Sequence, residues 1–317
     1  MAGDVKVVTL PDPPAMPGKL SRSTAKSRAW FRRPRWMFSN AGALWGAALT
    51  ASVLVLVAVG PYLAPYPPID FVGAPFEPPS ANALLGTDIL GRDVLSRVLS
   101  GGTVILSSSA VAALLGVAMG GLLGICAGYY RGTPDEVIMR LLDVLLAFPQ
   151  TILALLFVSV LGSSFALIAM LISAIHMPQV ARVIRAAALR VSGEDFVKFA
   201  KGLGASPLKI MTREIAPNVL GPLLVEMGLR FTYSISLIAG LSFLGLAQAP
   251  PAANWGLMVN ENRIGLLLNP WPVVVPISLI AILTVGINLL TDAYGRWVAG
   301  GAGRSTPDLS DIVGAPL

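Results

Sequence analysis

Six apolar runs, each of roughly 20 residues, constrain the fold of this chain more than any other feature. They lie near 41–64, 103–129, 138–161, 164–181, 219–245 and 272–295. A helix of this length crosses the hydrocarbon layer of a bilayer while satisfying its own backbone hydrogen bonds. The composition, 55% hydrophobic and 13% charged, does not suit a soluble enzyme. The sequence therefore predicts an all-α membrane protein with six transmembrane helices.

The basic residues are distributed unequally between the two ends of these runs. Of the 23 Lys and Arg residues, nineteen fall in the two tails and in stretches 129–140 and 182–213, and one, Arg230, lies within the fifth run. The opposite side holds only three, namely Arg92, Arg97 and Arg263. Because Lys and Arg concentrate on the cytoplasmic side of membrane proteins, both termini are expected inside. This excess of basic residues suits an anionic membrane surface better than nucleic acid, which is not expected as a partner.

These patterns divide the chain into three parts. Residues 1–40 are expected to be a partly disordered cytoplasmic tail and residues 299–317 a second cytoplasmic tail. The membrane domain between them, 41–298, includes an external segment, 66–102, and a cytoplasmic insert, 194–217. In the external segment, Asp93 is expected to cap a short amphipathic helix. The stretch Thr133-Pro134-Asp135-Glu136 is typical of a capping box and is expected to begin the third helix.

The insert 194–217 is polar and basic, although it lies between two long apolar runs. Spacing of Phe196, Phe199, Ala200 and Leu203 predicts a helix over 193–203, capped by Ser192 and ended by Gly204 at positive φ. Ser206-Pro207 then predicts a second helix, which ends before Pro217. Polar and charged side chains are costly in the hydrocarbon layer, so we expect the insert to lie outside it and to face a soluble partner. The alternative is an ordinary inner loop whose lysines bind lipid headgroups.

Several kinds of chemistry have no candidate residues in this sequence. The single Cys126 and the single His176 exclude a disulfide framework and multi-ligand Cys or His metal sites within the chain. No G-x-x-x-x-G-K-[ST] phosphate-binding loop is present, so the chain is not expected to bind ATP. No nucleophile–base pair or carboxylate dyad indicates catalysis. We therefore predict no catalytic residue, no metal and no cofactor in this chain.

Four stretches carry motifs that can be compared with known families. They are Ala200-x-x-x-Gly204 with Ile215-x-Pro217; Gly86-Thr87-Asp88-x-x-Gly91-Arg92-Asp93-x-x-Ser96-Arg97; Leu241-Ser242-Phe243-Leu244-Gly245-Leu246 with Pro250-Pro251 and Trp255-Gly256; and Asn288-Leu289-Leu290-x-Asp292. The first resembles the "EAA" loop of permease subunits in bacterial ABC importers. The others are similar to segments of the dipeptide/oligopeptide (and nickel) permeases: the third resembles a stretch of their C-type subunit, and the fourth resembles a motif near their last helix. This resemblance covers roughly residues 41–298.

The resemblance implies a type I ABC importer permease fold in a bacterial inner membrane. Such a subunit pairs with a homologous permease, binds two cytoplasmic ATPase subunits or domains that use ATP and Mg, and receives peptide from an external binding protein. The resemblance assigns ATPase coupling to Lys198, Ala200, Lys201, Gly204, Ala205, Ser206, Pro207 and Arg213. It also assigns the residues Gly86, Thr87, Asp88, Gly91, Arg92, Asp93 and Arg97 to the family's motif in the external segment.

Charged residues at membrane depth are costly and are therefore functional candidates. Glu226 and Arg230 lie four residues apart and are expected to pair on one face of the fifth helix. Asp143, near the inner end of the third helix, is a further candidate for the pathway or an inner gate. His176 is more readily explained as a hydrogen-bonded histidine inside the bundle.

Several functions remain compatible with the sequence. The main prediction is a permease for di- or oligopeptides, and the nearest alternative is a permease for nickel or another small solute. A stand-alone channel or secondary carrier is a different class, which would need no ATPase. An intramembrane enzyme is disfavoured, because one His, one Cys and no paired carboxylates leave little catalytic chemistry.

Overall fold

The computed structural model describes residues 40–247 and 252–302, and within these ranges the chain is built of helices. Helix α1 (Ala41–Leu63) precedes the external segment, α2 (Val94–Ser100) lies within it, and α3 (Gly102–Tyr130) follows directly. Next come α4 (Thr133–Leu146), α5 (Gln150–Leu161) and α6 (Phe165–Ser192). The insert holds α7 (Asp195–Gly202) and α8 (Pro207–Ile210), and the chain continues through α9 (Leu220–Phe243), α10 (Trp255–Asn262) and α11 (Trp271–Ala302).

The expected all-α membrane fold is confirmed. Five stretches within the described ranges are long and apolar enough to cross a membrane, and α4 with α5 make a sixth if the bent pair counts as one span. The predicted tail 1–40 lies outside the described residues except for Asn40, which caps α1 by accepting a hydrogen bond from Gly42 N at 3.1 Å. Residues 303–317 and 248–251, which include Pro250-Pro251, also lie outside them.

The third apolar run does not form the continuous helix that we predicted over 138–161. The axes of α4 and α5 differ by 78°, and the chain changes direction at 147–149. Pro149 causes the break, because proline has no N–H to donate and restricts the residue before it to extended backbone. The first turn of α5 consequently begins inside an apolar run.

The fourth apolar run forms a longer helix than predicted. We placed its end at 181, but α6 continues without interruption to Ser192 and carries Arg182, Arg185 and Arg190 on its last turns. These arginines do not end the helix, because two of them pair with acidic residues of α4 while Ala187 and Ala188 remain buried. The stretch that we counted as a basic loop from 182 is therefore partly helical.

Two of the predicted helix caps are wrong and three are confirmed. Gly132, and not Thr133, is the N-cap of α4, so Thr133 and Glu136 do not form the expected capping box. Ser192 belongs to α6, and α7 begins at Asp195. The three confirmed features are the Asp93 cap of α2, the Ser206 cap of α8 and the positive φ of Gly204, which is 75°.

The centre of the molecule is a close crossing of α3 and α6 along a row of glycines. Gly116, Gly120, Gly124 and Gly128 recur every four residues on one face of α3 and are buried. A Cβ atom at Gly120 would lie 2.6 Å from the carbonyl oxygen of Met177, and one at Gly124 would lie 2.6 Å from that of Ala181. Small residues allow backbones to approach in this way in membrane proteins, where van der Waals packing drives helix association.

Candidate functional site

The insert is anchored to the membrane domain by three buried apolar side chains. Val197 of α7, Ile210 of α8 and Ile215 of the following π-helical turn, Met211–Ile215, are at most 1% exposed. They belong to one apolar cluster with Ile184 and Ala188 of α6. This corrects the helical face that we predicted for the insert, since Val197 points inwards while Phe196, Phe199 and Leu203 are exposed. The insert therefore has a fixed base.

The turn between α7 and α8 has the geometry that its sequence predicts. Gly204 lies at φ 75°, its N–H donates to Lys201 O at 3.0 Å, and the N–H of Ala205 donates to Ala200 O at 3.1 Å. Ser206 Oγ then accepts from Lys209 N at 3.4 Å and Pro207 opens α8. A Cβ atom at Gly204 would meet no other atom within 4 Å. The strain of a substitution here would thus come from the backbone and not from a neighbour in this chain.

The tip of the insert, residues 199–208, exposes large apolar side chains. Phe199, Leu203 and Leu208 are 68–72% exposed, which is unusual for three such residues in a polar segment. Basic side chains surround them: Lys198 pairs with Asp195 at 3.0 Å, and Lys201 Nζ lies 4.5 Å from the centroid of the Tyr129 ring. Arg213 is exposed on the π-helical turn, and Ala200 and Ala205 are half-buried. An apolar centre with a basic rim is the surface expected for binding a protein partner.

The length of α6 carries the insert away from the membrane. Its 28 residues span about 42 Å at about 1.5 Å per residue. The hydrocarbon layer is about 30 Å thick, so one end of α6 must extend beyond it. The charged residues of α6 all lie near the end that bears the insert.

At the opposite end of the bundle, the predicted external residues form a buried ion-pair network. The Asp88 carboxylate contacts both Arg92 Nε, at 2.7 Å, and Arg97 Nη1. Glu261 of α10 completes the network, with Oε2 at 3.0 Å from Arg92 Nη2 and 2.9 Å from Arg97 Nη1. Asp88 and Arg97 are fully buried, and Arg92 is 1% exposed. Two positive and two negative groups thus balance one another, and Glu261 is the member that keeps contact with water, with 13% of its side chain exposed.

The remaining external residues stabilise the loops around this network. Thr87 Oγ1 donates to Ala74 O at 2.6 Å and accepts from Glu77 N at 2.8 Å. Asp93 Oδ2 accepts from Ser96 N at 2.8 Å, and Gly86 and Gly91 lie at φ 71° and 76°. The motif therefore supports the fold of the external segment, and none of its charged groups is displayed to solvent.

Sequence reasoning missed the residues of α10 and its flank that hold the external segment. Besides Glu261, Asn262 Oδ1 accepts from Ile89 N at 2.9 Å, and Asn269 Nδ2 donates to Leu85 O at 3.0 Å and Thr87 O at 3.1 Å. One signal was available. Glu261 is the only acidic residue between 227 and 291, and it lies on the side that carries Arg92 and Arg97.

The predicted charged residues of the membrane domain form separate pairs. Arg230 Nε lies 3.0 Å from Glu226 Oε2, as expected, and Arg230 Nη1 also donates to Gln179 Oε1 of α6. Both members of this pair are buried. Asp143 pairs instead with Arg182 at a half-exposed position, where α4 meets α6. The structure does not bring Asp143 together with Glu226 and Arg230.

His176 lies in the bundle and is hydrogen-bonded, as expected. Its Nε2 is 3.1 Å from Ser234 Oγ of α9, and the ring is 1% exposed. The described residues contain no group of three or more His, Cys, Asp or Glu side chains that could hold a metal ion.

Comparison with known proteins gives consistent results at the levels of family, sequence and fold. Residues 120–300 match the family model for the binding-protein-dependent transport system inner membrane component. The dipeptide transport system permease protein DppC of Haemophilus influenzae is 34% identical over 266 residues, 81% of this chain and 90% of that protein. The glutathione transport system permease protein GsiD of Escherichia coli is 38% identical over 249 residues, 78% of this chain and 82% of that protein.

The fold also matches a solved structure. A chain of the MetNI methionine ABC transporter, in an inward-facing conformation, aligns with a TM-score of 0.52 over 65% of this chain and 96% of its own length. At 17% identity, this match establishes a shared fold. It agrees with the permease fold expected from the sequence motifs.

Proposed function

Since this chain belongs to the family of binding-protein-dependent transport system inner membrane components, we propose that it is one of two permease subunits of an ATP-driven peptide importer. The two subunits would enclose the pathway in a bacterial inner membrane. An external binding protein would deliver the solute on the side of the ion-pair network, and two ATPase subunits or domains would bind on the side of the insert.

The exposed tip of the insert is the observation that carries this proposal. Phe199, Leu203 and Leu208 stand on a base fixed by Val197, Ile210 and Ile215, at the end of a helix longer than the hydrocarbon layer. A rigid, apolar surface of this kind loses contact with water when an ATPase binds it, and it can transmit a displacement because its base is packed. We assign Lys198, Ala200, Lys201, Gly204, Ala205, Ser206, Pro207 and Arg213 to this coupling surface.

Di- or oligopeptides are the proposed solutes. The two curated relatives described above are named for dipeptide and for glutathione transport, and both solutes are small peptides. This favours peptides over nickel, for which the described residues offer no cluster of ligands.

Gly204→Asp tests the coupling surface. The native residue lies at positive φ, so the substitution carries a backbone cost of about 1 kcal/mol, too little to prevent insertion. It also places a charge at the centre of the docking surface. We expect uptake of a labelled dipeptide to fall to background at matched membrane levels, with the ATPase lost from the purified complex or hydrolysing ATP without transport.

Two controls make the result specific. Gly132→Asp introduces the same side chain at another glycine with positive φ and no neighbour within 4 Å, but outside the insert, and uptake should persist. Gly204→Ala retains the backbone strain without the charge and should keep most of the activity. Normal uptake by Gly204→Asp would indicate instead that the insert is an inner loop whose lysines bind lipid headgroups.

A further inference from the structure

An apolar groove runs along the surface of the membrane domain, where α3, α9 and the insert meet. Its volume is about 430 Å³. Leu114 and Leu122 of α3 and Leu224 of α9 line it and are 50–64% exposed, and Met211 and Ala216 of the insert also contribute to the lining. We refer to it as the α3–α9 groove. It shares no residue with the ion pairs described above.

The α3–α9 groove has the length and depth of one leaflet of the bilayer. On α3 it extends from Leu114, near the middle of the helix, to Cys126, about one turn before the helix ends at Tyr130. The distance from Leu114 to Cys126 along the helix is about 18 Å at about 1.5 Å per residue, and one leaflet contains about 15 Å of hydrocarbon. Tyr130 is 52% exposed, and exposed tyrosines concentrate at the membrane–water interface. The groove therefore lies in the leaflet on the side of the insert.

The side chains of the groove have little to offer a polar ligand. The hydroxyl group among them, Thr212 Oγ1, already donates to Leu208 O at 2.7 Å. Cys126 contributes a thiol, which is only a weak donor. All other lining residues are apolar or glycine. Because a polar group would lose its hydrogen bonds to water on entering such a surface, the part of a ligand that fills the groove must be apolar.

Two basic side chains beside the groove have no partner within the described part of the chain. Lys209 and Arg213 directly follow the lining residues Leu208 and Thr212. Both are exposed, and neither forms an ion pair with a described residue. Glu214, on the same turn as Arg213, is half-buried, so the charge beside the groove is positive even when it is counted.

An apolar groove one leaflet long, with unpaired basic groups beside its insert end, is complementary to one kind of molecule. A phospholipid has an apolar chain of that length and a headgroup at the level of the interface. Basic residues next to membrane helices on the cytoplasmic side attract anionic headgroups, and the distribution of Lys and Arg predicts that the insert lies on that side. The charges therefore favour an anionic phospholipid over a zwitterionic one.

We propose that the α3–α9 groove binds an anionic phospholipid from the leaflet on the side of the insert. One acyl chain lies along α3 and α9, and the phosphate accepts hydrogen bonds from Lys209 and Arg213. Since Met211 and Ala216 share the groove with the membrane helices, the lipid holds the base of the insert against the membrane domain. Leu208 belongs both to the groove and to the exposed tip, so the lipid reaches the edge of the coupling surface. This inference does not depend on which solute is transported.

Photo-crosslinking of the complete transporter in nanodiscs identifies the occupant. The discs contain phosphatidylglycerol or phosphatidylcholine with the same diazirine-bearing acyl chain, and mass spectrometry locates the adducts. We expect adducts in 114–126 and 208–227, at least about fivefold more with phosphatidylglycerol, the preference that one basic residue near an anionic headgroup provides. Equal yields with both lipids would overturn the proposal. Adducts elsewhere on the membrane helices but not in the groove would indicate that a helix of the second permease covers it, and would overturn the proposal as well.

Two pairs of variants test the two parts of the site. Lys209→Gln should lower the preference for phosphatidylglycerol severalfold, whereas Arg190→Gln, which removes an exposed charge at the end of α6 and outside the lining, should leave it unchanged. Ala118→Trp fills the groove and should abolish adducts from both lipids. Met119→Trp adds the same side chain at the neighbouring exposed position, which is outside the lining, and the adducts should persist.

The outcomes also separate this inference from the proposed function. A preference for phosphatidylglycerol that Lys209→Gln does not change would exclude the headgroup contact, and adducts retained by Ala118→Trp would exclude the acyl chain from the groove. If the transporter moves peptide but shows either of these results, only this inference fails. If it moves no peptide and the adducts form as expected, the proposed function fails and the lipid site stands.

Discussion

Asp88 shows how a single residue can determine the stability of the external side. Its carboxylate contacts Arg92 and Arg97, and it also accepts the backbone N–H groups of Leu90 and Arg92 at 2.8 and 2.9 Å. A buried ion pair contributes little when compared with an apolar replacement, but removing one partner leaves a buried charge without compensation. The network is therefore most vulnerable to the loss of one member.

We expect Asp88→Asn to destabilise the external segment by about 3–5 kcal/mol, because two buried guanidinium groups would then share Glu261 alone. The asparagine retains the oxygen that accepts the backbone N–H groups, so the change isolates the charge. Thermal unfolding of the purified complex and limited proteolysis of 66–102 would measure the effect. Asp70→Asn, at an exposed position of the same segment, is the matched control and should leave both unchanged. An unaltered melting temperature for Asp88→Asn would contradict this account.

At the residue scale, the sequence predicted local chemistry better than it predicted partners. The Asp93 and Ser206 caps and the Glu226–Arg230 pair depend on neighbours within four residues, and all three are confirmed. Glu261 was missed because its partners lie more than 160 residues away along the chain. The ion pair of Asp135 was missed for the same reason, since Arg185 comes from another helix.

At the scale of elements, the row of glycines on α3 fixes how closely α3 and α6 pack. A Cβ atom at Gly124 would lie 2.6 Å from Ala181 O and 2.9 Å from Arg185 N, both backbone atoms that cannot rotate away. A second crossing, of α1 and α11, has the same character, because Gly46 and Gly286 lie against each other's backbones. The spacing of four residues was visible in the sequence, but the partner helix was not.

Gly124→Val is expected to separate α3 from α6 and to destabilise the subunit by at least the roughly 1–3 kcal/mol typical of overpacking, since backbone must move. Membrane level and thermal stability of the complex would report the loss. Ala118→Val adds bulk on the exposed face of the same helix and should be tolerated. If Gly124→Val accumulated and melted like the wild type, the close crossing would not be needed for stability.

The extents of the helices were predicted less accurately than their number. Hydropathy indicated six runs, but it could not distinguish a straight span from α4 and α5, which meet at 78°. It also ended the fourth helix at its first arginine, whereas ion pairs with Asp135 and Asp143 allow α6 to continue. In both cases the deciding interaction belongs to tertiary structure.

At the scale of the whole molecule, the remaining prediction concerns the orientation of the chain in the membrane. Lys209 on the insert and Asp70 in the external segment are both exposed. In a Cys126→Ala background, we expect an impermeant thiol reagent added to intact cells to label Asp70→Cys but not Lys209→Cys, because the basic insert should be cytoplasmic. Permeabilised cells should label both. Labelling of Lys209→Cys from outside would reverse the topology and remove the ATPase from the proposed arrangement.

The fold and family could be predicted from the sequence because apolar runs and short motifs are local signals. The Ser234 partner of His176 could not, since it depends on how α6 and α9 pack against each other. The two residues lie 58 positions apart along the chain, so no local spacing indicates their contact.

The uninterrupted course of α6 has a mechanical consequence. One helix carries His176 near its middle and, beyond Ser192, the base of the insert, which is about 24 Å away along the axis at about 1.5 Å per residue. If α6 pivoted about its insert end as a stiff lever, a tilt of about 5° would displace the imidazole by about 2 Å over that arm, enough to break a hydrogen bond. Pro178 lies inside α6 between His176 and Ser192, and it removes one backbone hydrogen bond from this helix. The compliance of the helix at this residue would therefore set how much of a movement at the insert is transmitted to His176.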